Sequence, residues 1–217
     1  MHLSPPVPAR VGRTRTRVVW LLVTCGLLAS AWFAGFASIV GVRAMARQLA
    51  DPIILSRVEV LAPQICRAAE ESGLDPNLIA AMVYSESSGR VDAVSKADAL
   101  GLLQLLPPAA SDAAKRLGLE PPTRVALLGD GALNLRLGAS QFAWTLANEG
   151  DDVERALIAY NAGRSKLRRW IRKAGSYETW RAKQKRDGDS GVLAYAGRVL
   201  SYAEIFRQRG EITASRP

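Results

Sequence analysis

Glu86 is the residue whose type and position carry the clearest chemistry. In helical register it extends the apolar face made by Ile79, Met82 and Val83 instead of breaking it. Burial on such a face raises a carboxyl pKa, and the negative end of the helix dipole acts in the same direction. A carboxylic acid that stays protonated near neutral pH is what a general acid needs. The same position also fits an exposed carboxylate in the last turn of a surface helix, and spacing alone leaves both readings open. Asp92 and Asp98 lie in the loop that follows.

The scarce residues narrow the chemistry further. The sole histidine is His2, at the extreme N-terminus. That sets aside Ser-His-Asp and Cys-His catalysis and most zinc sites. Cys25 lies in an apolar segment and Cys66 well beyond it, with no CxxC pair, so neither a redox motif nor a disulfide is expected. Proton chemistry is left to carboxylates, Lys and Tyr, and no metal or cofactor is expected. The chain of 217 residues has a formal net charge of +9. Such a balance suits nucleic acid, an anionic envelope polymer or a lipid surface. No nucleic-acid recognition motif stands out, and the densest basic cluster, Lys166, Arg168, Arg169, Arg172 and Lys173, reads as a solvated helix face.

Helices must position these groups, because the composition is rich in Ala and Leu and poor in aromatics. One is expected over about Val58–Ser72, stopped by Gly73. Asp75-Pro76 then starts a helix over Asn77 to about Ser88 that carries Glu86 in its last turn. The run Leu100–Leu106 ends at Pro107-Pro108, and a helix follows over Pro108–Leu117. Further helices are expected over Ala132–Asn148, Val153–Tyr160, Arg164–Lys173 and Leu193–Gln208. The stretches Glu120–Gly131 and Gly175–Gly191 read as turns and polar loop. The fold class is mainly α, with at most a small β element near Val94–Leu106.

Four blocks of this walk resemble the soluble-lytic-transglycosylase (SLT) family. They are GLDPNLIAA at 73–81 with ESSGRVDAVS at 86–95 and ALGLLQLLP at 99–107, NLRLG at 134–138, ALIAYNAG at 156–163, and the pair Tyr195 and Val199. They occur in the family's order and spacing between about Val58 and Phe206. The resemblance implies a lysozyme-like fold, similar to goose-type lysozyme, and peptidoglycan glycan strands as substrate. It implies Glu86 as the sole catalytic residue, first protonating the glycosidic oxygen between N-acetylmuramic acid and N-acetylglucosamine. As a carboxylate, Glu86 would then accept the proton of the muramic C6 hydroxyl, which closes a 1,6-anhydro ring without water. An internal hydroxyl arrives at high effective concentration, so a second carboxylate is dispensable. By the same resemblance Ser87 would sit beside the leaving group, Gln104, Tyr160 and Asn161 would line the sugar cleft, and Tyr195 would hold Glu86.

The sequence departs from the family in places. Gly89 stands where an aromatic is common, Asp98 where glycine is common, Leu103 where methionine is usual, and Gly191-Val192 where polar residues are common. Asp98 or Asp92 as a second carboxylate, of the kind hydrolytic glycosidases use, keeps a hydrolytic, lysozyme-type muramidase in view. The other alternative is a peptidoglycan-binding scaffold module of an envelope-spanning machine.

Val18–Val42 contains no charged residue. As a helix it is roughly 37 Å long, enough to cross a hydrocarbon core of about 30 Å. Arg10, Arg13, Arg15 and Arg17 precede it, which places the N-terminus in the cytoplasm and the rest in the periplasm. A cleaved signal peptide ending at Ala29-Ser30-Ala31 is the alternative. The expected organisation is a basic tail (1–17), an inner-membrane anchor (18–42), a linker (43–57), an SLT-type domain (58–207) and a C-terminal tail (208–217).

Overall fold

The structure, a computed structural model, describes residues 51–188 and 190–213. The chain divides into two units, 1–51 and 52–217, and the described residues fall almost wholly in the second. The expected basic tail, the apolar segment 18–42 and the linker up to residue 50 lie outside the described residues. Among the described residues no helix is long and apolar enough to cross a membrane.

The helix that carries Glu86 follows directly from its cap. Asp75 accepts a hydrogen bond from the Asn77 amide (2.9 Å), Pro76 takes the first turn, and α2 runs over Pro76–Ser87. Before it, α1 (Ala62–Ser72) ends on Gly73 in the left-handed conformation. The helix expected from Val58 is in fact two. Residues 52–59 are helical, the chain turns at 60–61, and α1 starts at Ala62 with Pro63 in its first turn. Proline lacks the N–H that an unbroken helix would use there. The expected linker therefore ends in a helical segment whose Leu55 and Val58 enter the core. Its buried Glu59 pairs with Arg209 at 2.5 Å.

The remaining helices among the described residues are α3 (Pro107–Arg116), α4 (Arg124–Gly129), α5 (Gly131–Asn148), α6 (Val153–Ala162), α7 (Arg164–Ala174), α8 (Tyr177–Asp187) and α9 (Gly191–Arg209). Two of them correct the sequence reading. Thr123 caps α4 by accepting from the Ala126 amide, inside a stretch expected to be turns. Ser176 likewise caps α8, inside the expected polar loop. The segment under α8 is polar overall, and its burial rests on Tyr177 and Trp180, three residues apart, with Trp180 stacked on Trp170. Two aromatics make too short a stripe for a periodicity argument. Among the described residues β structure is limited to isolated antiparallel bridges, Val94 with Leu100 and Leu100 with Leu105.

The core forms around α2. Leu78–Tyr84 are buried without interruption, so the single apolar face expected from spacing is a helix enclosed on all sides. It packs most closely on α9, where the Tyr84 and Tyr202 rings stack and their hydroxyls hydrogen-bond at 2.7 Å. A smaller cluster, Leu100, Leu105, Leu127 and Leu137 with three alanines of α3, joins the 100–106 run, α3 and α4 to α5.

One buried side chain seats that run. Asn134 accepts from the Leu103 amide (2.9 Å) and donates to the carbonyls of Leu100 (3.0 Å) and Leu127 (3.1 Å). One turn further along α5, Gly138 lets Leu103 approach so closely that a Cβ there would stand 2.4 Å from Leu103 Cδ1. Gly101, at φ +76, is packed as tightly against Asn134. The asparagine and glycine of the NLRLG block thus form a cradle for the loop. Replacing Asn134 with alanine orphans three buried backbone groups. Urea unfolding should show a loss of about 2–4 kcal/mol, against less than about 0.5 kcal/mol for exposed Asn148→Ala. Equal losses would remove Asn134 from this role.

Candidate active site

A cavity of about 370 Å³ opens between the two clusters. Its wall takes Glu86 from the end of α2, Ser95 and Gln104–Leu106 from the loop, Ala109 from α3, Gln141 and Thr145 from α5, Ala159–Asn161 from α6, and Arg164 from α7. The chain reaches this convergence because α2 stops abruptly. Ser88 (φ 56) and Gly89 (φ 73) are both left-handed, turning the backbone away just after Glu86. The stem of Arg57 fills the space beside Gly89, within 3.1 Å of where a Cβ would stand, and its guanidinium donates to the Ser88 carbonyl (3.0 Å).

Glu86 is half-buried in this wall, and Tyr195 from α9 donates its hydroxyl to Glu86 Oε1 at 2.6 Å. Burial pushes the Glu86 carboxyl up to about 7, against the opposing pull of the Tyr195 hydroxyl and the positive charge of Arg198. The hydroxyls of Tyr160 and Tyr195 are raised well above the ordinary tyrosine value by burial and by the nearby Glu86, so both remain donors. Arg198 lies three residues after Tyr195 on α9, with its guanidinium 5.9 Å from the Tyr195 ring.

Of the six residues expected at the site, Glu86, Gln104, Tyr160 and Asn161 line the cavity, and Tyr195 supports Glu86. Ser87 departs from the expectation. It is buried, its hydroxyl donates to the Val83 carbonyl (3.1 Å), and it does not line the cavity. One residue past Glu86 on a helix is about 100° around the axis, which here means into the core. Gln104 sits at φ 48, a conformation that residues with a Cβ rarely adopt. Its amide nitrogen donates to the Ala93 (3.1 Å) and Gly101 (3.0 Å) carbonyls, leaving the amide oxygen as the atom able to meet a ligand. Tyr160 donates to the Leu103 carbonyl at 2.8 Å, so it clamps the loop as well as facing the cavity.

The second-carboxylate reading finds no support in this geometry. Asp98 is exposed, ion-paired with Arg124, and not part of the cavity wall. Its φ of 62 explains why glycine suits that position. Asp92 is exposed and also outside the wall. Among the described residues lining the cavity, Glu86 is the sole carboxylate. Among the described residues no cluster of His, Cys, Asp and Glu is arranged to hold a metal ion.

Sequence reasoning passed over Gln141, Thr145 and Arg164 in the wall, and Glu149 behind it. Glu149 is buried and takes Arg155 and Arg164 through their Nε atoms, both at 2.9 Å. Nothing in linear spacing singles out these four. Only the crossing of α5, α6 and α7 gathers them.

The sequence pattern of the Transglycosylase SLT domain matches residues 64–183, more than half of the chain. The chain belongs to the SLT transglycosylase family. A membrane-bound lytic murein transglycosylase C of Haemophilus influenzae (strain PittGG) is 39% identical over 105 residues, covering 45% of this chain and 29% of the relative. A transglycosylase of Enterobacteria phage PRD1 is 36% identical over 110 residues, covering 51% of this chain and 37% of the relative. This SLT chain therefore spans less than two-fifths of the length of these relatives. Among solved structures, an inactive glutamate-to-glutamine mutant of the lytic transglycosylase Slt from Pseudomonas aeruginosa superposes with a TM-score of 0.59. The two are 28% identical, over 71% of this chain and 24% of that one. The 70 kDa soluble lytic transglycosylase of Escherichia coli gives the same TM-score at 21% identity, over 68% and 24%. That second likeness bears on the fold of the SLT domain alone.

The raised Glu86 carboxyl links folding to pH with a definite sign. Its ordinary value is 4.5 and its value in the fold about 7, so the protonated form is favoured by folding. Its contribution to stability is complete below about 4.5 and is lost as pH rises through about 7. Glu86→Gln, which cannot ionise, should gain on the parent chain across that window, by up to about 3 kcal/mol at pH 8. Urea unfolding at about pH 4 and about pH 8 measures this. A constant difference between the two proteins would mean that Glu86 titrates normally.

Proposed function

We infer that the chain is a peptidoglycan lytic transglycosylase with Glu86 as general acid and then general base. The observation that carries this reading is a lone cavity carboxyl, raised to about 7 and held by Tyr195, in an SLT-family fold. At neutral pH such a group populates both protonation states, as one residue serving two successive proton transfers must. The substrate is the β-1,4 bond from N-acetylmuramic acid to N-acetylglucosamine. Glu86 gives its proton to the glycosidic oxygen as the bond to muramic C1 breaks. The muramic C6 hydroxyl then bonds to C1, and its proton returns to Glu86. The product ends in 1,6-anhydro-muramic acid, and no water is consumed. A wall with one carboxylate suits this chemistry, whereas hydrolytic glycosidases generally employ two.

Gln104, Tyr160 and Asn161 bind sugar along the cavity, and Tyr195 is a positioning residue that keeps one Glu86 oxygen hydrogen-bonded. The apolar segment Val18–Val42 anchors the chain in the inner membrane with residues 58–207 in the periplasm. The support for this is its length, its lack of charge and the arginines that precede it.

Glu86→Gln should lower glycan cleavage by at least about 10²-fold, with Asp98→Asn close to the parent chain. The assay is mass spectrometry of fragments released by the full chain from purified peptidoglycan. Anhydro ends are expected, and products heavier by one water would make the protein a hydrolase. The descending limb of kcat/KM should fall near pH 7. In Tyr195→Phe the carboxylate loses a donor, so the limb should move to higher pH. An unmoved limb would detach Tyr195 from Glu86.

A further inference from the structure

A second concavity, of about 460 Å³, borders the first and has a different character. Its wall includes Trp144, Arg164, Lys166, Arg168 and Arg169, with no carboxylate among the lining residues. Gln141, Gly163 and Arg164 line both cavities, so the two share an edge. Lys166, Arg168 and Arg169 are exposed, and among the described residues none has a carboxylate within ion-pair distance.

This is more than a solvated helix face. Arg164 is fixed from behind by the buried Glu149, and its guanidinium lies over the Trp144 ring at 4.4 Å. Arg116 reaches the same ring from α3, at 5.2 Å, and bonds Gln141 at 2.5 Å. The shared edge is therefore held by an aromatic and a guanidinium whose position is set by a buried carboxylate. The basic cluster seen in the sequence divides accordingly. Arg172 and Lys173 end α7, where they complement the helix dipole, while Lys166, Arg168 and Arg169 turn to the groove.

We propose that this groove takes the carboxylates of the peptide stems borne by a glycan strand in the adjoining cavity, so that α7 sets a preference for peptide-bearing strands. The inference rests on the glycan-strand reading above. The stems are the anionic part of that substrate, they branch from the muramic acid at the cleaved bond, and they must leave the Glu86 cavity along some edge of it. The shared edge leads to a wall of four cations, of which Arg164 is paired with Glu149, Lys166 lies 5.2 Å from the Trp170 ring, and Arg168 and Arg169 are left without an acid partner among the described residues. Guanidinium groups suit carboxylates through paired N–H donors. Exposed pairs are individually weak, so the groove adds on the order of tenfold in affinity, and salt reduces it.

The test compares soluble peptide-bearing strands with the same strands stripped of peptides by an amidase. Two readouts are taken on the full chain, release of anhydro ends and calorimetric binding. The parent chain should prefer peptide-bearing strands in both, through a lower KM and Kd. R168E/R169E should lose most of that preference, by about tenfold, with kcat on the peptide-bearing strands retained. The charge-matched K183E/R186E pair on α8, outside the groove, should keep it. A parent chain without preference, or R168E/R169E with the full preference, overturns the proposal. Equal weakening on both strands by R168E/R169E also overturns it, since the groove would then grip the glycan itself. Absence of cleavage with a binding preference that R168E/R169E abolishes counts against the catalytic reading and leaves the groove standing.

Discussion

The Tyr195 hydroxyl meets the Glu86 carboxyl across the packing of α9 on α2, two helices more than a hundred residues apart in sequence. A protonated acid in a partly desolvated wall is tolerated only where a neighbour satisfies it and the backbone around it is rigid. Both conditions come from the same interface. The stacked Tyr84 and Tyr202 rings and the buried run Leu78–Tyr84 hold α2 in place. The double left-handed step at Ser88 and Gly89 stops the helix before Glu86 is carried into solvent. Burial raises the carboxyl while the Tyr195 donor restrains the rise, and the balance falls near neutrality.

The opposite wall depends on a polar residue in an apolar place. Leu100–Leu105 pairs with itself only through isolated bridges and would leave backbone groups unsatisfied in the core. Asn134 supplies them, Gly138 and Gly101 give the space, and Tyr160 adds a bond to Leu103 from the cavity side. The NLxxG and AYNAG blocks are thus two halves of one support for the loop that places Gln104 in the cavity wall. The cost of the arrangement shows at Gln104 itself, which occupies a backbone region that residues with a side chain seldom enter.

Charge is organised locally in a chain that is basic overall. Glu59 and Asp75 pair with Arg209 and Arg207 near the end of α9, and Glu154 with Arg181. Glu149 is spent inside the fold on two arginines. Behind the cavity wall Glu149 is committed to structure, Asp98 is turned outward to Arg124, and Glu86 faces the cavity as the sole carboxylate among the lining residues.

Much of this was legible in the sequence. Caps with unambiguous chemistry, Asp75-Pro76 and Gly73, located α2 and the end of α1. The resemblance of the motif blocks to the family implied Glu86, Gln104, Tyr160 and Asn161 on one cavity, and each block could be recognised because it is a local structure with its own turn and helix end. α8 escaped because its burial rests on two aromatics in a polar segment, and α4 because six residues make too little pattern. Ser87, expected beside the leaving group by resemblance, faces the core because neighbouring positions on a helix point about 100° apart. What only the tertiary structure decided is which charges meet. The role of Asp98, the hold of Glu149 on Arg164, and the basic groove beside the cavity arise from helices that cross, and no linear spacing encodes a crossing.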